Sequence, residues 1–375
     1  MHLSVINGPN LNLLGKREPA VYGSDTLADL EVGWRALTER LGADLSVFQS
    51  THEGDIIDAL HRANQESDGV VLNAGALTHY SYAVHDAIRS IGTPVVEMHI
   101  SNIRAREPWR RTSVLEEVCE HSIMGRGVEG YLDALSHLWA LVTSPPATLA
   151  YGDLPDHVLD LRVPDQAEGW VMLIHGGFWR EVYTRDTLDR AAVDLARRGF
   201  AVANIEYRRG PGTYPASVDD VAAAAQWLVD NGGDHGPDVG RIDVIGHSAG
   251  GFLATHLAGR RTDIRAVPVG AALDLVGVSE YRMHHEGDDP PAEYLGSTLD
   301  QDPSLWDQAA PTGPFRSPVH VVHGANDDVV PVDHSIAFAE RWKVDLTVVD
   351  DGSHMDVVDP LEPAYQAVAG AISST

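Results

Sequence analysis

The sequence predicts two α/β domains in succession, each built on a parallel sheet. Its 375 residues exceed the roughly 100 to 200 expected of a single domain. In both halves, short apolar runs alternate with segments of helical periodicity, which is the pattern of a parallel sheet covered by helices. Two adjacent prolines, Pro145 and Pro146, interrupt the alternation and favour an extended connector. We therefore expect domains over 1–142 and 151–375, joined by a linker over 143–150.

The first half opens with an apolar run that ends in Asn-Gly-Pro-Asn, as a strand followed by a turn would. Between such runs, apolar residues recur at three- and four-residue spacing, as amphipathic crossover helices require. The predicted strands lie at 3–6, 70–72 and 95–98, and the predicted helices at 27–41, 56–63 and 128–142. A parallel sheet with helices on both faces follows.

The alternation restarts in the second half, which predicts another α/β sheet. An irregular stretch over 277–313 is rich in Pro, Asp and His, and we interpret it as an insertion over one edge of the sheet. Apolar runs predict strands at 158–163, 171–174, 201–205, 242–245, 319–322 and 346–349, with helices between them.

The composition limits the classes of partner. The chain has 55 acidic and 27 basic residues, and the net charge of −28 would repel nucleic acid and anionic membranes. Small molecules are therefore the expected partners. The single cysteine, Cys119, excludes an internal disulfide. The N-terminus lacks the basic region and following apolar run of a leader peptide, and no uncharged apolar stretch approaches the length of a membrane helix. We expect a cytoplasmic protein.

Polar side chains of the first half follow the carboxyl ends of the predicted strands, where ligands bind in open α/β sheets. Each of them alone has an ordinary explanation, because buried Asn and His usually serve backbone hydrogen bonding. Together they predict one ligand crevice. The residues concerned are Asn10, Arg17, Tyr22, Asn73, His79, Glu97, His99 and Ser101.

Four motifs carry these residues in a fixed order. They are I-N-G-P-N-L-N, R-E-P-x-x-Y-G, L-N-A-G-A-L-T-H and V-V-E-M-H-I-S-N. With this order and spacing, the first 142 or so residues resemble type II 3-dehydroquinate dehydratase. The resemblance implies a flavodoxin-like fold and the removal of water from 3-dehydroquinate by anti elimination through an enolate.

The resemblance also implies catalytic roles. Tyr22 is the base, and because a phenol with a pKa of about 10 is a poor base at neutral pH, Arg17 must stabilise its phenolate. His99 is the proton donor, and Glu97 orients it from the same face of one strand. Asn10 holds a water at the developing enolate oxygen. A Schiff-base mechanism would need a buried lysine, which this half lacks, since its single lysine lies in a Gly-Lys-Arg loop.

Further positions match the substrate-binding residues of the family. Asp86 corresponds to a residue lent by a neighbouring subunit, which implies a homo-oligomer, either a trimer or a dodecamer. Tyr80 departs from the family pattern, in which a small Thr is more usual at this position. The substrate-binding matches are Asn73, His79, Ile100, Ser101, Arg106 and Arg110.

The second half contains a candidate nucleophile. Gly246-His-Ser248-Ala-Gly250 follows a predicted strand and precedes a helix-prone segment, which is the context of a nucleophile elbow. Serine needs a histidine base and an orienting carboxylate, in the order serine, acid, histidine for this fold. Asp327 and His354 each lie beyond a predicted strand and fit this order. Asp328 is the close competitor of Asp327.

The motif His-Gly-Gly-Phe-Trp179 follows another predicted strand and is expected to carry backbone donors for an oxyanion. The amide of Ala249 supplies one donor. We expect the aromatic pair that ends the motif to form a wall that limits the size of the acyl group. The sequence leaves open which of Gly176, Gly177 and Phe178 supplies the other donor.

From position 151 onward, the chain resembles an α/β-hydrolase, and the two motifs look most like the kynurenine formamidase and esterase branch. The resemblance implies hydrolysis of a small formamide or ester, and the choice between them stays open. We expect no metal and no organic cofactor. Two alternatives are a hydrolase half that acts only as an interaction module, and a dehydratase half retained mainly for oligomerisation, with the esterase as the principal activity.

Overall fold

The structure is a computed structural model of the chain and describes residues 1–16 and 23–373. It divides into two compact units, Met1–Pro145 and Pro146–Thr375. Each unit has its own sheet, with five strands in the first and eight in the second. The predicted fold class, a flavodoxin-like domain followed by an α/β-hydrolase domain, is confirmed.

The sheet of the first unit is parallel throughout. Its strands have the spatial order β2-β1-β3-β4-β5, the doubly wound order of flavodoxin-like folds. Since helices cover both faces, β3 and β4 are buried along their whole length. These strands are β1 (His2–Asn7), β2 (Asp44–Gln49), β3 (Gly69–Asn73), β4 (Val95–His99) and β5 (His121–Met124).

Among the residues described in the first unit, four helices cover this sheet: α1 (Leu27–Arg40), α2 (Glu53–Glu66), α3 (Tyr82–Arg89) and α4 (Gly130–Thr143). A capping box starts α1, in which the Thr26 hydroxyl accepts from the Asp29 amide and the Asp29 carboxylate accepts from the Thr26 amide. Trp34 of α1 packs on Tyr131 of α4, with ring centroids 4.4 Å apart. This contact closes the core on one face of the sheet.

The sheet of the second unit has the order β13-β12-β11-β10-β8-β9-β7-β6. Strand β7 runs antiparallel to both of its neighbours, and the other pairs are parallel. No helix within 1–16 and 23–373 is long and apolar enough to cross a bilayer. The strands are β6 (Ala147–Ala150), β7 (Val158–Arg162), β8 (Trp170–Ile174), β9 (Ala201–Ile205), β10 (Ile242–His247), β11 (Ile264–Val269), β12 (His320–Gly324) and β13 (Asp345–Val349).

The helices of the second unit pack on both faces of this sheet. They are α5 (Asp189–Arg197), α6 (Ala216–His235), α7 (Ala249–Arg260), α8 (Leu275–His285), α9 (Pro290–Leu295), α10 (Pro303–Ala309), α11 (Val332–Trp342) and α12 (Gln366–Ser373). The prediction that 277–313 is irregular is wrong, because α9 and α10 lie within it and α8 overlaps it. An aspartate caps each of these three helices by accepting from a backbone amide three residues on: Asp274, Asp289 and Asp302.

The junction of the two units also differs from the predicted linker over 143–150. Helix α4 continues through Thr143, and residues 147–150 form β6, which pairs with β7 at the edge of the second sheet. The short run Ala-Thr-Leu-Ala carries too little periodicity to indicate this pairing. The connection between the last helix of one unit and the first strand of the next is therefore shorter than predicted.

Strand β11 shows why some strands escape the sequence prediction. Arg265 and Pro268 interrupt its apolar run. In the sheet, the Arg265 guanidinium donates to the Asp243 carboxylate on the neighbouring β10, with Nη2 to Oδ2 at 2.8 Å. A buried charge is tolerated only with such a partner, and the partner lies 22 positions earlier in the chain.

Candidate active sites

The first site is a cavity of about 110 Å³ at the carboxyl ends of β1, β3 and β4. The chain switches from one side of β1 to the other, so the loops that follow β1 and β3 diverge and leave a crevice. Seven predicted site residues line the cavity together: Asn10, Asn73, His79, His99, Ile100, Ser101 and Arg110.

His99 and Glu97 form a hydrogen-bonded pair at the end of β4. Nε2 of His99 lies 2.9 Å from Oε1 of Glu97. The two side chains share one face of the strand because side chains alternate along it. Glu97 is 0% exposed and His99 5% exposed, so the carboxylate lies behind the ring. With Nε2 held by Glu97, the ring nitrogen left for a ligand is Nδ1.

Two hydroxyl groups support the Glu97 carboxylate. Ser113 Oγ lies 2.8 and 2.9 Å from its two oxygens, and Thr78 Oγ1 donates to Oε1. Burial would raise the pKa of Glu97, but the hydrogen bonds from His99, Thr78 and Ser113 outweigh burial and hold the pKa below its ordinary value. Neither hydroxyl was predicted from the sequence. Thr78 directly precedes His79 in its motif, whereas no local pattern marks Ser113.

A buried polar chain fixes the Asn73 side chain. Asn73 Nδ2 donates to the Tyr131 hydroxyl at 2.9 Å, and that hydroxyl donates to Asn7 Oδ1 at 2.6 Å. Asn73 Oδ1 accepts from the Gly75 amide at 3.2 Å. Burial raises the pKa of Tyr131, so its phenol keeps the proton that this chain needs. The orientation of the Asn73 amide at the cavity is therefore set before any ligand binds.

His79 and Arg110 line the cavity, and Trp109 contacts both of them. His79 Nδ1 donates to the Thr112 carbonyl at 2.8 Å, and the Arg110 guanidinium lies 4.1 Å from the centroid of the Trp109 ring. Burial, together with the charges of His99 and Arg110, lowers the pKa of His79 despite the bond to Thr112. The neutral ring with its proton on Nδ1 presents Nε2 as an acceptor.

The other predicted residues of the first site have different outcomes. Arg17 and Tyr22 lie outside the residues that the structure describes, so the base stays a prediction. Arg106 Nη1 lies 3.3 Å from the hydroxyl of Ser101, a residue that lines the cavity. Asp86 lies on an exposed face of α3.

Ser248 occupies a sharp turn between β10 and α7. Its φ of 54° and ψ of −117° form a conformation that non-glycine residues rarely adopt. A Cβ on Gly246 would lie 2.2 Å from the Gly250 carbonyl oxygen, and a Cβ on Gly250 would lie 2.1 Å from that of Ile174. Packing therefore requires glycine on both sides of the serine. The serine itself is 2% exposed.

Asp327 and His354 meet at the carboxyl ends of β12 and β13. His354 Nδ1 donates to Asp327 Oδ2 at 2.7 Å, and the amides of Val329 and Val330 donate to Asp327 Oδ1 at 2.9 and 2.8 Å. Burial would raise the pKa of Asp327, but its hydrogen bonds to histidine and backbone hold it well below the usual range. Asp328 is exposed. The contact with His354 is thus made by Asp327.

Two histidines that the sequence analysis did not single out support this pair. His247 Nε2 lies 3.0 Å from the His354 carbonyl oxygen, and burial, aided by the charge of His354, lowers the pKa of His247 to about 3. His323 Nε2 lies 3.1 Å from Asp327 Oδ2, and its Nδ1 lies 2.7 Å from the Ser335 hydroxyl. Both could have been found by their nearness in sequence to predicted catalytic residues, because His247 directly precedes Ser248 and His323 precedes the loop that carries Asp327.

The loop after β8 is held beside the serine. A Cβ on Gly176 would lie 2.8 Å from the Ser248 Cβ. The loop then turns through Phe178 and Trp179, whose φ angles are 51° and 56°, and the Arg180 amide closes the turn on the Gly177 carbonyl at 3.0 Å. Positive φ at two successive non-glycine residues costs roughly 1–2 kcal/mol at each. Such strain is typical of functional loops.

The two aromatic residues of this loop have different environments. Trp179 is 1% exposed and stacks on Tyr294 of α9, with ring centroids 4.2 Å apart and planes at 9°. It therefore belongs to the core, and the expected wall depends on Phe178. The Phe178 ring lies 5.1 Å from the guanidinium of Arg282 on α8.

Ion pairs tie the loop to the cap formed by α8 and α9. Arg180 Nη2 lies 2.9 Å from Asp288 Oδ2, and Arg180 Nε lies 3.0 Å from Glu293 Oε2. Arg282 donates to the same Asp288. A charged cluster of this kind fixes the cap over the loop more strongly than one surface pair would.

The folds and their sites define two classes of protein. The first unit is a flavodoxin-like domain with a histidine–carboxylate pair at its switch-point crevice, and the second is an α/β-hydrolase. Among the residues described, no group of three or more His, Cys, Asp or Glu side chains is arranged to hold a metal ion.

Comparison with known families agrees with both classes. Residues 1–139 match the model of dehydroquinase class II, and residues 159–342 match the BD-FAE model. The chain belongs to the class II dehydroquinase family through its first unit. It carries a 3-dehydroquinate dehydratase domain followed by an esterase-like hydrolase domain, as the resemblances in the sequence imply.

Three relatives illustrate the match. A 3-dehydroquinate dehydratase of Bacillus pumilus is 59% identical over 137 residues, which cover 36% of this chain and 93% of that protein. Catabolic 3-dehydroquinase 1 of Neosartorya fischeri is 52% identical over 134 residues, which cover 36% of this chain and 89% of that protein. The structure of a bacterial heroin esterase is 26% identical with a TM-score of 0.53, and the match covers 66% of this chain and 89% of that one.

Proposed function

We propose that the protein is a bifunctional enzyme. The first unit dehydrates 3-dehydroquinate to 3-dehydroshikimate, and the second hydrolyses a small ester or formamide through a serine nucleophile. The observation that carries the first activity is the buried Glu97–His99 pair on a cavity lined by the family's site residues. The second activity is supported by the strained turn at Ser248 and by the Asp327–His354 bond.

In the dehydratase reaction, the Tyr22 phenolate, stabilised by Arg17, removes a proton next to the ketone. The electrons move into an enolate whose oxygen is held by a water on Asn10. His99 then gives a proton to the leaving hydroxyl, and water departs as the double bond forms. The assignment of His99 is supported by its Nε2 bond to Glu97, since this bond leaves Nδ1 as the nitrogen toward the cavity.

Substrate binding in the first unit is assigned to Asn73, His79, Arg110 and the backbone amides of Ile100 and Ser101. All five residues line the cavity. The test is an assay of 3-dehydroquinate turnover in which the ultraviolet absorbance of the conjugated enone in the product is monitored. No turnover by the full chain would overturn the proposal and favour a domain retained for oligomerisation.

We assign Asp86 to the active site of a second copy of the chain, in a trimer or a dodecamer. Its exposed position on α3 supports this role, because the side chain is free to meet a neighbour. Light scattering should report an oligomer, and Asp86→Ala should raise KM for 3-dehydroquinate. A fully active monomer would contradict the assignment.

In the hydrolase reaction, the Ser248 oxygen attacks the carbonyl carbon while its proton passes to His354 Nε2. Backbone amides stabilise the oxyanion of the tetrahedral intermediate. The leaving group takes the proton from His354, and a water then hydrolyses the acyl-enzyme by the same steps. Asp327 is ionised and fixes the ring through Nδ1, which supports the use of Nε2 as the base.

A short acyl group on a ring-shaped leaving group is the proposed substrate. Phe178 lies in the same loop as Gly176, which packs against Ser248, and this position supports a restricted acyl side. A matched solved structure is named an esterase, which favours an ester. An N-formyl aryl amine is the second candidate, favoured by the His-Gly-Gly-Phe-Trp motif.

A matched substrate series tests this proposal. Formyl, acetyl and long-chain acyl esters of one phenol, together with an N-formyl aryl amine, are compared by kcat/KM, with Ser248→Ala as the blank. We expect the formyl and acetyl substrates to be preferred. Equal or better kcat/KM for long-chain esters would contradict the restricted acyl side, and a Ser248→Ala variant as active as the parent would overturn the serine mechanism.

A further inference from the structure

We propose that the buried His175, held by Glu206, orients the peptide between Gly176 and Gly177 so that the Gly177 amide donates to the oxyanion. This inference rests on the proposed hydrolase activity of the second unit and names its second oxyanion donor beside Ala249. His175 acts through the backbone and does not touch the substrate. It is therefore a positioning residue.

Both ring nitrogens of His175 face acceptor oxygens. Nδ1 lies 2.9 Å from the Gly176 carbonyl, and Nε2 lies 2.7 Å from Glu206 Oε1. A neutral imidazole carries one N–H, so the two bonds together require the doubly protonated ring. The ring is 0% exposed and stacks on Tyr207, with centroids 4.5 Å apart.

Glu206 supplies the charge that holds this cation. Its Oε1 accepts from Arg209 Nη1 at 2.6 Å and from the Tyr207 amide at 3.0 Å, and its Oε2 accepts from the Arg185 amide at 3.1 Å. Burial would raise the pKa of Glu206, but His175 and Arg209 outweigh burial and keep it below its ordinary value. The other charged groups around this cluster are the Arg185 guanidinium, Asp160 on β7 and Asp156, which pairs with Arg209.

The position of the Gly176 carbonyl fixes the direction of the Gly177 amide. In a trans peptide, the C=O and the N–H point to opposite sides. Since His175 holds the carbonyl, the Gly177 N–H is directed away from the ring. Gly176 lies against the serine, because a Cβ there would approach the Ser248 Cβ to 2.8 Å. Within the part of the chain that the structure describes, the Gly177 amide donates to no backbone or side-chain acceptor.

The charge on His175 also strengthens this donor. A hydrogen bond from a cation to the carbonyl polarises the peptide, which makes its N–H a stronger donor. The next peptide is fixed in a different way, because the Gly177 carbonyl accepts from the neutral Arg180 amide at 3.0 Å. Of the amides in this loop, the Gly177 amide is thus the one that the buried ion pair controls.

Two substitutions of His175 separate orientation of the peptide from anchoring of Glu206. In His175→Asn, the amide nitrogen takes the position of Nδ1 and can donate to the Gly176 carbonyl. In His175→Gln, the amide nitrogen reaches the position of Nε2, so the contact with Glu206 is kept while the Gly176 carbonyl loses its donor. The inference requires the Asn variant to be the more active of the two.

The readouts are kcat and KM for p-nitrophenyl acetate and the rate at which a fluorophosphonate labels Ser248. In labelling, the serine oxygen bonds to phosphorus, fluoride leaves and the serine proton passes to His354. We expect His175→Gln to lose roughly 10- to 100-fold in kcat at unchanged KM, with labelling slowed in parallel, since loss of a whole oxyanion donor costs about 10²- to 10³-fold. His175→Asn should retain most of both rates.

The opposite order, or equal losses in both variants, would overturn the inference. Glu206→Gln gives an independent test that keeps the size of the side chain and one acceptor. Its kcat should fall, because the His175 ring loses the anion that holds Nε2; a Glu206→Gln variant with the parental kcat would contradict the role of Glu206. Thermal unfolding of each variant shows whether it folds. A parent that neither turns over the ester nor labels at Ser248 would overturn the proposed hydrolase function, whereas an active parent makes the variant ratios a test of His175 alone.

Discussion

Both units place a buried carboxylate behind a histidine at the carboxyl edge of a parallel sheet, but they assemble the pair differently. Glu97 and His99 lie two positions apart on one strand, and the carboxylate holds Nε2. Asp327 and His354 lie 27 positions apart on two loops, and the carboxylate holds Nδ1. The nitrogen left for chemistry is therefore Nδ1 in the first unit and Nε2 in the second.

This difference shows what each site depends on. The first pair needs only the formation of β4, because the strand itself brings both side chains to one face. The second pair needs the register of β12 against β13, in which His320 is opposite Asp345 and Gly324 opposite Val349. Substitutions that remove one part of a site therefore show whether the other site depends on it.

The largest expected effect follows from the nucleophile. Ser248→Ala should lower ester hydrolysis by roughly 10⁶-fold, as removal of a catalytic serine does in other triads. Dehydratase turnover should stay at the parental rate, because the serine belongs to the second unit. Parallel assays of the two activities check this. A matching loss of dehydration would show that the two sites are coupled.

The carboxylate of the second site comes next. Asp327→Asn should lower kcat for the ester by about 10⁴-fold, because the ring of His354 loses the partner that fixes its tautomer. Asp328→Asn is the matched control, since Asp328 is adjacent and exposed, and it should retain parental activity. An equal loss in the control would show that the acid has been assigned to the wrong residue.

The histidine of the first site should give an effect of about 10²- to 10⁴-fold. His99→Ala removes the proposed proton donor, and general acid groups contribute about this much to a rate. Tyr22→Phe should show a loss of the same order. His2→Ala is the control, because the His2 ring contacts Ser46 at the opposite end of β1. Turnover of 3-dehydroquinate measures all three, and a His99→Ala variant with the parental rate would contradict the assignment.

The sequence predicts most of what a single strand or motif determines. The order of the four motifs predicts the fold of the first unit through the family resemblance. Five of the seven cavity residues follow predicted strand ends, whereas Ile100 and Arg110 are implied by the resemblance alone. Gly246 and Gly250 of the nucleophile elbow can be predicted because packing permits no other residue at these positions. What depends on distant contacts escapes prediction: Ser113 reaches Glu97 from a loop, and Tyr131 reaches Asn73 from α4.

Helices α9 and α10 show the same limit for the prediction of secondary structure. Each begins with an aspartate followed by a proline, which can start a helix but, because Asp and Pro are also common in loops, is interpreted from the sequence as irregular structure. Asp289-Pro290 and Asp302-Pro303 each begin a helix. Whether such a signal starts a helix depends on the apolar surface on which the helix can pack, and that surface comes from other parts of the chain.

The smallest expected effect concerns the hydroxyl groups behind Glu97. Thr78→Val keeps the shape of a buried side chain but removes a donor to the carboxylate, which should cost about 1–3 kcal/mol of stability near neutral pH. The hydrogen bonds hold the pKa of Glu97 below the roughly 4.3 of an unfolded glutamate. Their contribution is therefore present above that pH and is lost as the pH falls through the folded-state pKa. The difference in the free energy of unfolding between Thr78→Val and the parent should accordingly become smaller at acidic pH.

Thr38→Val provides the matched control for this prediction. The Thr38 hydroxyl is also buried, but it donates to the neutral Trp34 carbonyl at 3.0 Å, so its loss should cost the same at every pH. The urea midpoint for loss of dehydratase activity, normalised for each variant, reports on the first unit alone. If the stability cost of Thr78→Val, like that of Thr38→Val, were the same at neutral and at acidic pH, the Thr78 bond would not be acting through the charge on Glu97. A penalty that narrows in Thr78→Val and stays constant in Thr38→Val would show that the strand-built pair depends on its neutral donors as well as on its histidine.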